Sequence, residues 1–114
     1  MEVISLPVKR AEVIKNYSHF FKRVIKAVVD IEKGIIAVDG ELHADLEEFL
    51  LSSGSKQENL WGVNFYLGEK DEKNRIEYTA LINIRPALGN ASMEIRSPNI
   101  RKKIKEIAKK LIIE

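Results

Sequence analysis

Residues 24–38 restrict the fold most. A β-branched run, Val-Ile-Lys-Ala-Val-Val-Asp-Ile, meets Glu32-Lys33-Gly34 and resumes as Ile35-Ile36-Ala37-Val38. Such side chains favour a pleated strand. Two strands joined by so short a connection fold back on each other, with Gly34 supplying the positive φ that tight hairpins use. Antiparallel pairing follows. Ile25, Ala27, Val29 and Ile31 share a fully apolar face, and Val24, Lys26, Val28 and Asp30 a mixed one.

A second hairpin is predicted further on. In residues 60–67, Trp61, Val63, Phe65 and Leu67 alternate with Gly62, Asn64 and Tyr66. After a polar loop at 68–74, residues 75–85 alternate Ile76, Tyr78, Ala80, Ile82 and Ile84 with Glu77, Thr79, Leu81, Asn83 and Arg85. Two long alternating segments around one loop read as a meander. On this pattern Trp61 and Ile82 point to the covered face, and Asn64, Tyr66, Asn83 and Arg85 to the other.

Three amphipathic segments complete the chain. The first starts at Ser5 or Leu6, with Pro7 in its first turn, where a missing N–H costs nothing. Its stripe is Val13/Ile14, Tyr17 and Phe20/Phe21. Leu42, Leu46, Phe49 and Leu50 place the second over 41–52, although an Asp45–Glu48 capping box would start it one turn later. The third runs from Ser97 to about Ile112 along the seam Ile100, Ile104, Ile107 and Leu111. Val3-Ile4 adds an edge strand. The order is β-α-β-β-α-β-β-α. It predicts one α+β domain over residues 1–114, with a mixed, mostly antiparallel sheet of about five strands and three helices mainly on one face.

Composition narrows the chemistry. The chain has no cysteine, which excludes disulfides, thiolate catalysis and Cys-ligated metals. Its charged fraction of 32%, together with a single glutamine, Gln57, fits a thermophilic source. No apolar run approaches the roughly 20 residues needed to span a bilayer, and no signal peptide is evident, so a cytoplasmic location without a membrane partner is expected. A net charge of +2 does not demand nucleic acid. Residues 96–110 nevertheless carry seven Lys and Arg against Glu106 alone, either a nucleic-acid footprint or a solvated face complementing the helix C-terminus.

Candidate sites concentrate in three places. In residues 83–98, Arg85-Pro86 leaves a strand, Gly89-Asn90 can expose backbone N–H groups as a nest, and Ser92 and Arg96 precede a helix N-terminus. With Asn64 and Asn83 these form a candidate patch for phosphate, carboxylate or an RNA backbone. The plain alternative is a strand-to-helix turn in which Arg85 pairs with a carboxylate such as Asp30 or Glu77. The second place is Glu41, His43 and Asp45, with Glu47 one helical turn from His43, a spacing that suits metal ligation or acid–base work but equally a solvated helix face. The third is the loop carrying Lys56 and Gln57, which could close over a ligand and ends on Trp61, either a base-stacking platform or core.

Three segments carry a family resemblance: Val-Val-Asp-Ile-Glu-Lys-Gly with Gly-Glu-Leu-His-Ala-Asp, Gly-Ser-Lys-Gln-Glu-Asn-Leu-Trp-Gly, and residues 82–95. Over residues 24–112 the chain resembles an uncharacterised prokaryotic family of small proteins, a domain of unknown function. The resemblance transfers no catalytic role. It implies that the three segments belong together, with Glu41, His43, Asp45, Lys56, Gln57, Arg85, Asn90 and Ser92 lining one pocket. The leading expectation is a binding or interaction module, without cofactor or resident metal, for an anionic group such as phosphate or RNA. The alternative is a small metal-dependent hydrolase or nuclease centred on His43. A homodimer across the polar sheet face is a third option.

Overall fold

A computed structural model describes residues 1–114. In chain order the elements are β1 (Glu2–Ile4), β2 (Val8–Lys9), α1 (Arg10–Tyr17), β3 (Ile25–Asp30), β4 (Ile35–Val38), α2 (His43–Ser52), β5 (Leu60–Phe65), β6 (Ile76–Glu77), α3 (Pro98–Leu111) and β7 (Ile112–Ile113). Gly34 turns between β3 and β4 at φ +67°, and the strands pair antiparallel, Val29 opposite Ile36. The fold is α+β. Its five-stranded antiparallel sheet has the order β1-β4-β3-β5-β6, and a separate parallel pair joins β2 to β7.

The sheet buries both faces. Ile25, Ala27, Val29, Trp61, Val63 and Phe65 form the larger core with Val13 of α1 and Ile104, Ala108 and Leu111 of α3. Fully burying each aromatic contributes on the order of 1.5–3 kcal/mol. On the other face Val28, Ala37 and Leu60 pack under Leu46 and Leu50 of α2. Two of the three helices therefore share a face. The face expected to stay open, and offered above for a homodimer contact, carries α2 over the β3–β4 part.

Local signals place α3 well. Ser97 Oγ accepts the Ile100 N–H at 3.3 Å and Pro98 takes the first turn. The second helix begins at His43, between the two alternative starts, and Leu42 rather than Asp45 precedes it in extended conformation. The first helix begins later than expected. Val8-Lys9 is drawn into pairing with Ile112-Ile113, a contact with no local signature, so the helix starts at Arg10 and ends before Phe20 and Phe21.

The predicted strand over 75–85 is the main correction. Only Ile76-Glu77 pairs with β5, and residues 81–83 form a 3-10 turn. Beyond that point the Asn83 side chain replaces a strand, accepting the Gly62 N–H at 2.8 Å and donating to the Gly62 carbonyl at 2.9 Å. A side chain thus outcompetes the backbone ladder. Gly62 makes this approach possible, since a Cβ there would stand 2.5 Å from the Ala80 Cβ. The inferred faces break accordingly. Ile82 packs with the α2 core, Trp61 lies in the other, and Ile84 is exposed.

Candidate functional site

The donors singled out in residues 83–96 are largely taken up within the chain. Arg85 donates to the Leu60 carbonyl and pairs with Glu47 of α2 at 2.6 Å, not with Asp30 or Glu77. Asp30 instead caps the β3–β4 turn, accepting the N–H groups of Glu32 and Lys33 and the Ser55 hydroxyl. Asn90 is buried. Its amide donates to the carbonyls of Asn83, Ser92 and Glu94, and its oxygen accepts the Arg96 N–H. Ser92 accepts the Glu94 N–H, and the Arg96 side chain is exposed. This is the hydrogen-bonding of a well-tied turn.

The other candidates are dispersed. Lys56 and Gln57 are exposed after α2, as are Glu41 and Asp45 near its start. Asn64 donates to Glu77 at 2.7 Å and to the Thr79 carbonyl at 3.2 Å. His43 Nε2 lies 2.9 Å from the Val63 carbonyl oxygen, so this nitrogen carries the proton and donates. No group of three His, Asp or Glu side chains is arranged to hold a metal ion.

Burial holds the His43 imidazole below its ordinary 6.5, with nearby Lys26 acting in the same direction and the Val63 bond opposing. The folded state therefore binds this proton less well than the unfolded chain. The stability derived from keeping His43 neutral is full above pH 6.5 and declines as pH falls below it, until the folded imidazole also protonates. Urea midpoints measured at pH 7.5 and 5.5 should drop less in His43→Gln than in the native protein.

The richest concave site lies elsewhere. Between α3, β6 and the loop after β5 runs a groove of about 670 Å³. Phe65, Leu67, Ile76, Tyr78 and Ile112 give it an apolar wall. Arg101 stacks over the Tyr78 ring at 4.8 Å and fixes that wall from behind. The α3 seam Ile104, Ala108 and Leu111 is buried, which sets the neighbouring Lys105 and Lys109 on the groove's margin. Arg10, Lys70, Lys73 and Arg75 add to them, against only Glu72 and Glu114.

Both arginines are held rigidly. Arg10 donates to the Leu67 carbonyl, and through Nε and Nη2 it grips Glu114 at 2.8 and 3.1 Å. Arg75 donates to the carbonyls of Glu69 at 2.7 Å and Lys70 at 3.3 Å, while its Nη1 lies 3.8 Å from Glu114. This holds the Glu114 carboxyl below the usual carboxylate range, Arg10 contributing most. Lys109 pairs with Glu72 at 3.4 Å and Lys73 with Asp71 at 3.6 Å, whereas Lys70 and Lys105 stand in no ion pair.

Of the features proposed from sequence, only the basic last helix reaches this groove, through Lys105 and Lys109, and none of the other candidate site residues lines it. The i, i+4 pair Lys105/Lys109 beside an apolar seam was a visible signal. The approach of Arg10 to Glu114, 104 positions apart, was not. The polar side chains that line the groove are those of Arg, Lys, Glu and Tyr.

No helix is long and apolar enough to cross a membrane. No curated protein and no solved structure matches the chain. The family model described as a protein of unknown function, DUF5674, matches residues 2–111, nearly the whole sequence, and the chain belongs to that family.

Proposed function

We propose that this protein is a binding module for an anionic small molecule with an apolar body, held in the groove between α3 and β6. One observation carries the reading: six cationic side chains and two carboxylates surround an apolar wall in a cavity of about 670 Å³. Cavities of roughly 300–1,000 Å³ with an apolar lining and few polar anchors are typical of small-ligand sites. Inorganic phosphate alone would leave the apolar wall unused.

A fluorescent aryl sulfonate, 8-anilinonaphthalene-1-sulfonate, provides the test. It should bind with an affinity that falls at high salt, while an uncharged naphthylamine of similar body binds far more weakly. Reversing the two unpaired cations in Lys70→Glu/Lys105→Glu should weaken the sulfonate by at least about tenfold, that is by about 1.4 kcal/mol. Equal binding of the two probes, or an unchanged affinity in the double variant, would sink the reading.

RNA is the second reading, supported by the exposed Lys102, Lys103 and Lys110 on the outer side of α3. Filter binding to mixed RNA at two salt concentrations would show a steep loss if these lysines displace counterions from a phosphate backbone. The hydrolase reading gains no support from the surroundings of His43, whose protonated ring nitrogen is occupied by a backbone carbonyl.

A further inference from the structure

The groove already contains a carboxylate belonging to the chain itself. From its geometry we infer that Arg10 and Arg75 form a carboxylate subsite, that the ligand is an amphipathic carboxylate, and that Glu114 is an internal stand-in which the ligand displaces. This rests on the groove being a binding site and names the chemistry it selects.

The receptor side is built before any ligand arrives. Arg10 Nη1 is spent on the Leu67 carbonyl, which fixes the guanidinium plane and leaves Nε and Nη2 as a two-pronged fork. The fork meets both Glu114 oxygens, at 2.8 and 3.1 Å, the side-on pairing that suits two coplanar oxygens of a carboxylate. Arg75, anchored by two loop carbonyls, stands behind the same oxygen. The Arg10 and Arg75 side chains are only 27% and 15% exposed, whereas Glu114 is 68% exposed.

That asymmetry makes Glu114 the exchangeable partner. An exposed ion pair contributes little, so its replacement by a ligand carboxylate costs little. What a ligand adds is apolar area: Ile76, Tyr78, Ile112 and Ile113 line the same groove as the fork and keep accessible surface that the short Glu114 side chain leaves uncovered. While Glu114 occupies the fork, the apparent affinity of any competing carboxylate is reduced by the occupied fraction.

Calorimetric titration of the full chain with decanoate, decanamide and decyl phosphate separates the possibilities. Decanoate should bind, with decanamide at least tenfold weaker. Glu114→Gln keeps an exposed side chain of the same size, and should bind decanoate about threefold to fivefold more tightly, the range expected for releasing a surface pair. Arg10→Lys keeps the charge but loses the fork and should bind it about tenfold more weakly. Circular dichroism on each variant checks that the fold persists. Equal affinity for acid and amide, or tighter binding of the phosphate, overturns the carboxylate subsite. An unchanged affinity in Glu114→Gln overturns the stand-in. If the aryl sulfonate binds but decanoate does not, this inference falls and the groove reading survives; if neither binds, both fall.

Discussion

Replacing Asn83 with leucine is expected to destabilise the protein by about 3–5 kcal/mol and to lower its thermal midpoint by more than about 10 °C. Asn83 is fully buried. Its oxygen accepts the Gly62 N–H, and its nitrogen donates to the carbonyls of Gly62 and Met93 at 2.9 and 3.1 Å. Leucine has the same branching but is larger, so no cavity forms and the loss is that of the partners together with overpacking strain. The Gly62 N–H and carbonyl would stay out of water with nothing to bond, at roughly 1–3 kcal/mol for each, whereas the Met93 carbonyl keeps the Ala80 N–H at 3.1 Å. A native stability of about 5–15 kcal/mol leaves such a variant marginal. Leu81→Ala in the same 3-10 turn, at a residue 70% exposed, should stay within about 0.5 kcal/mol. Urea denaturation separates the two, with a shifted midpoint and an unchanged slope for Asn83→Leu. Equal midpoints would mean that Asn83 does not hold the segment to β5.

The same residue shows where sequence reading succeeds and fails. Gly34 and Ser97 were readable because a turn and a cap are local: the signal and the structure lie within four residues. The alternation of residues 75–85 was just as regular, yet periodicity cannot say whether a neighbouring strand's hydrogen bonds will be met by backbone or by side chain. Asn83 meets them with its amide, and the strand ends at Glu77. Asn83 on the supposed strand was the available hint, since asparagine is poor in strands. The groove was hidden for a different reason. Its cations come from α1, the loop after β5, and α3, and its fork is completed across 104 residues through the β2–β7 pairing. Charge patterning along α3 marked one wall. Only tertiary structure shows the other.

Removing Arg85 should be as damaging as losing Asn83, for an electrostatic reason. The Arg85 and Glu47 side chains are 10% and 14% exposed, and their 2.6 Å contact ties the segment after residue 83 to α2. Arg85→Ala would leave the Glu47 carboxylate withdrawn from water without its counter-ion, and the Leu60 carbonyl without its donor. Breaking a buried pair from one side costs about 3–5 kcal/mol. Removing both charges need not. The double variant Arg85→Met/Glu47→Leu replaces the pair by apolar groups that can pack beside Trp61, whose ring Arg85 already covers at 5.2 Å. It should recover most of the loss, because the penalty in the single variant comes from an uncompensated charge and not from a lost attraction. Chemical denaturation of the native protein, both single variants and the double variant forms the cycle, with a coupling energy expected above about 1 kcal/mol. A coupling near zero would mean that Arg85 is not the structural partner of Glu47, and would return its guanidinium to the candidates for an external anion. A large coupling leaves that role to the fork of Arg10 and Arg75, where the paired carboxylate is exposed and can be exchanged.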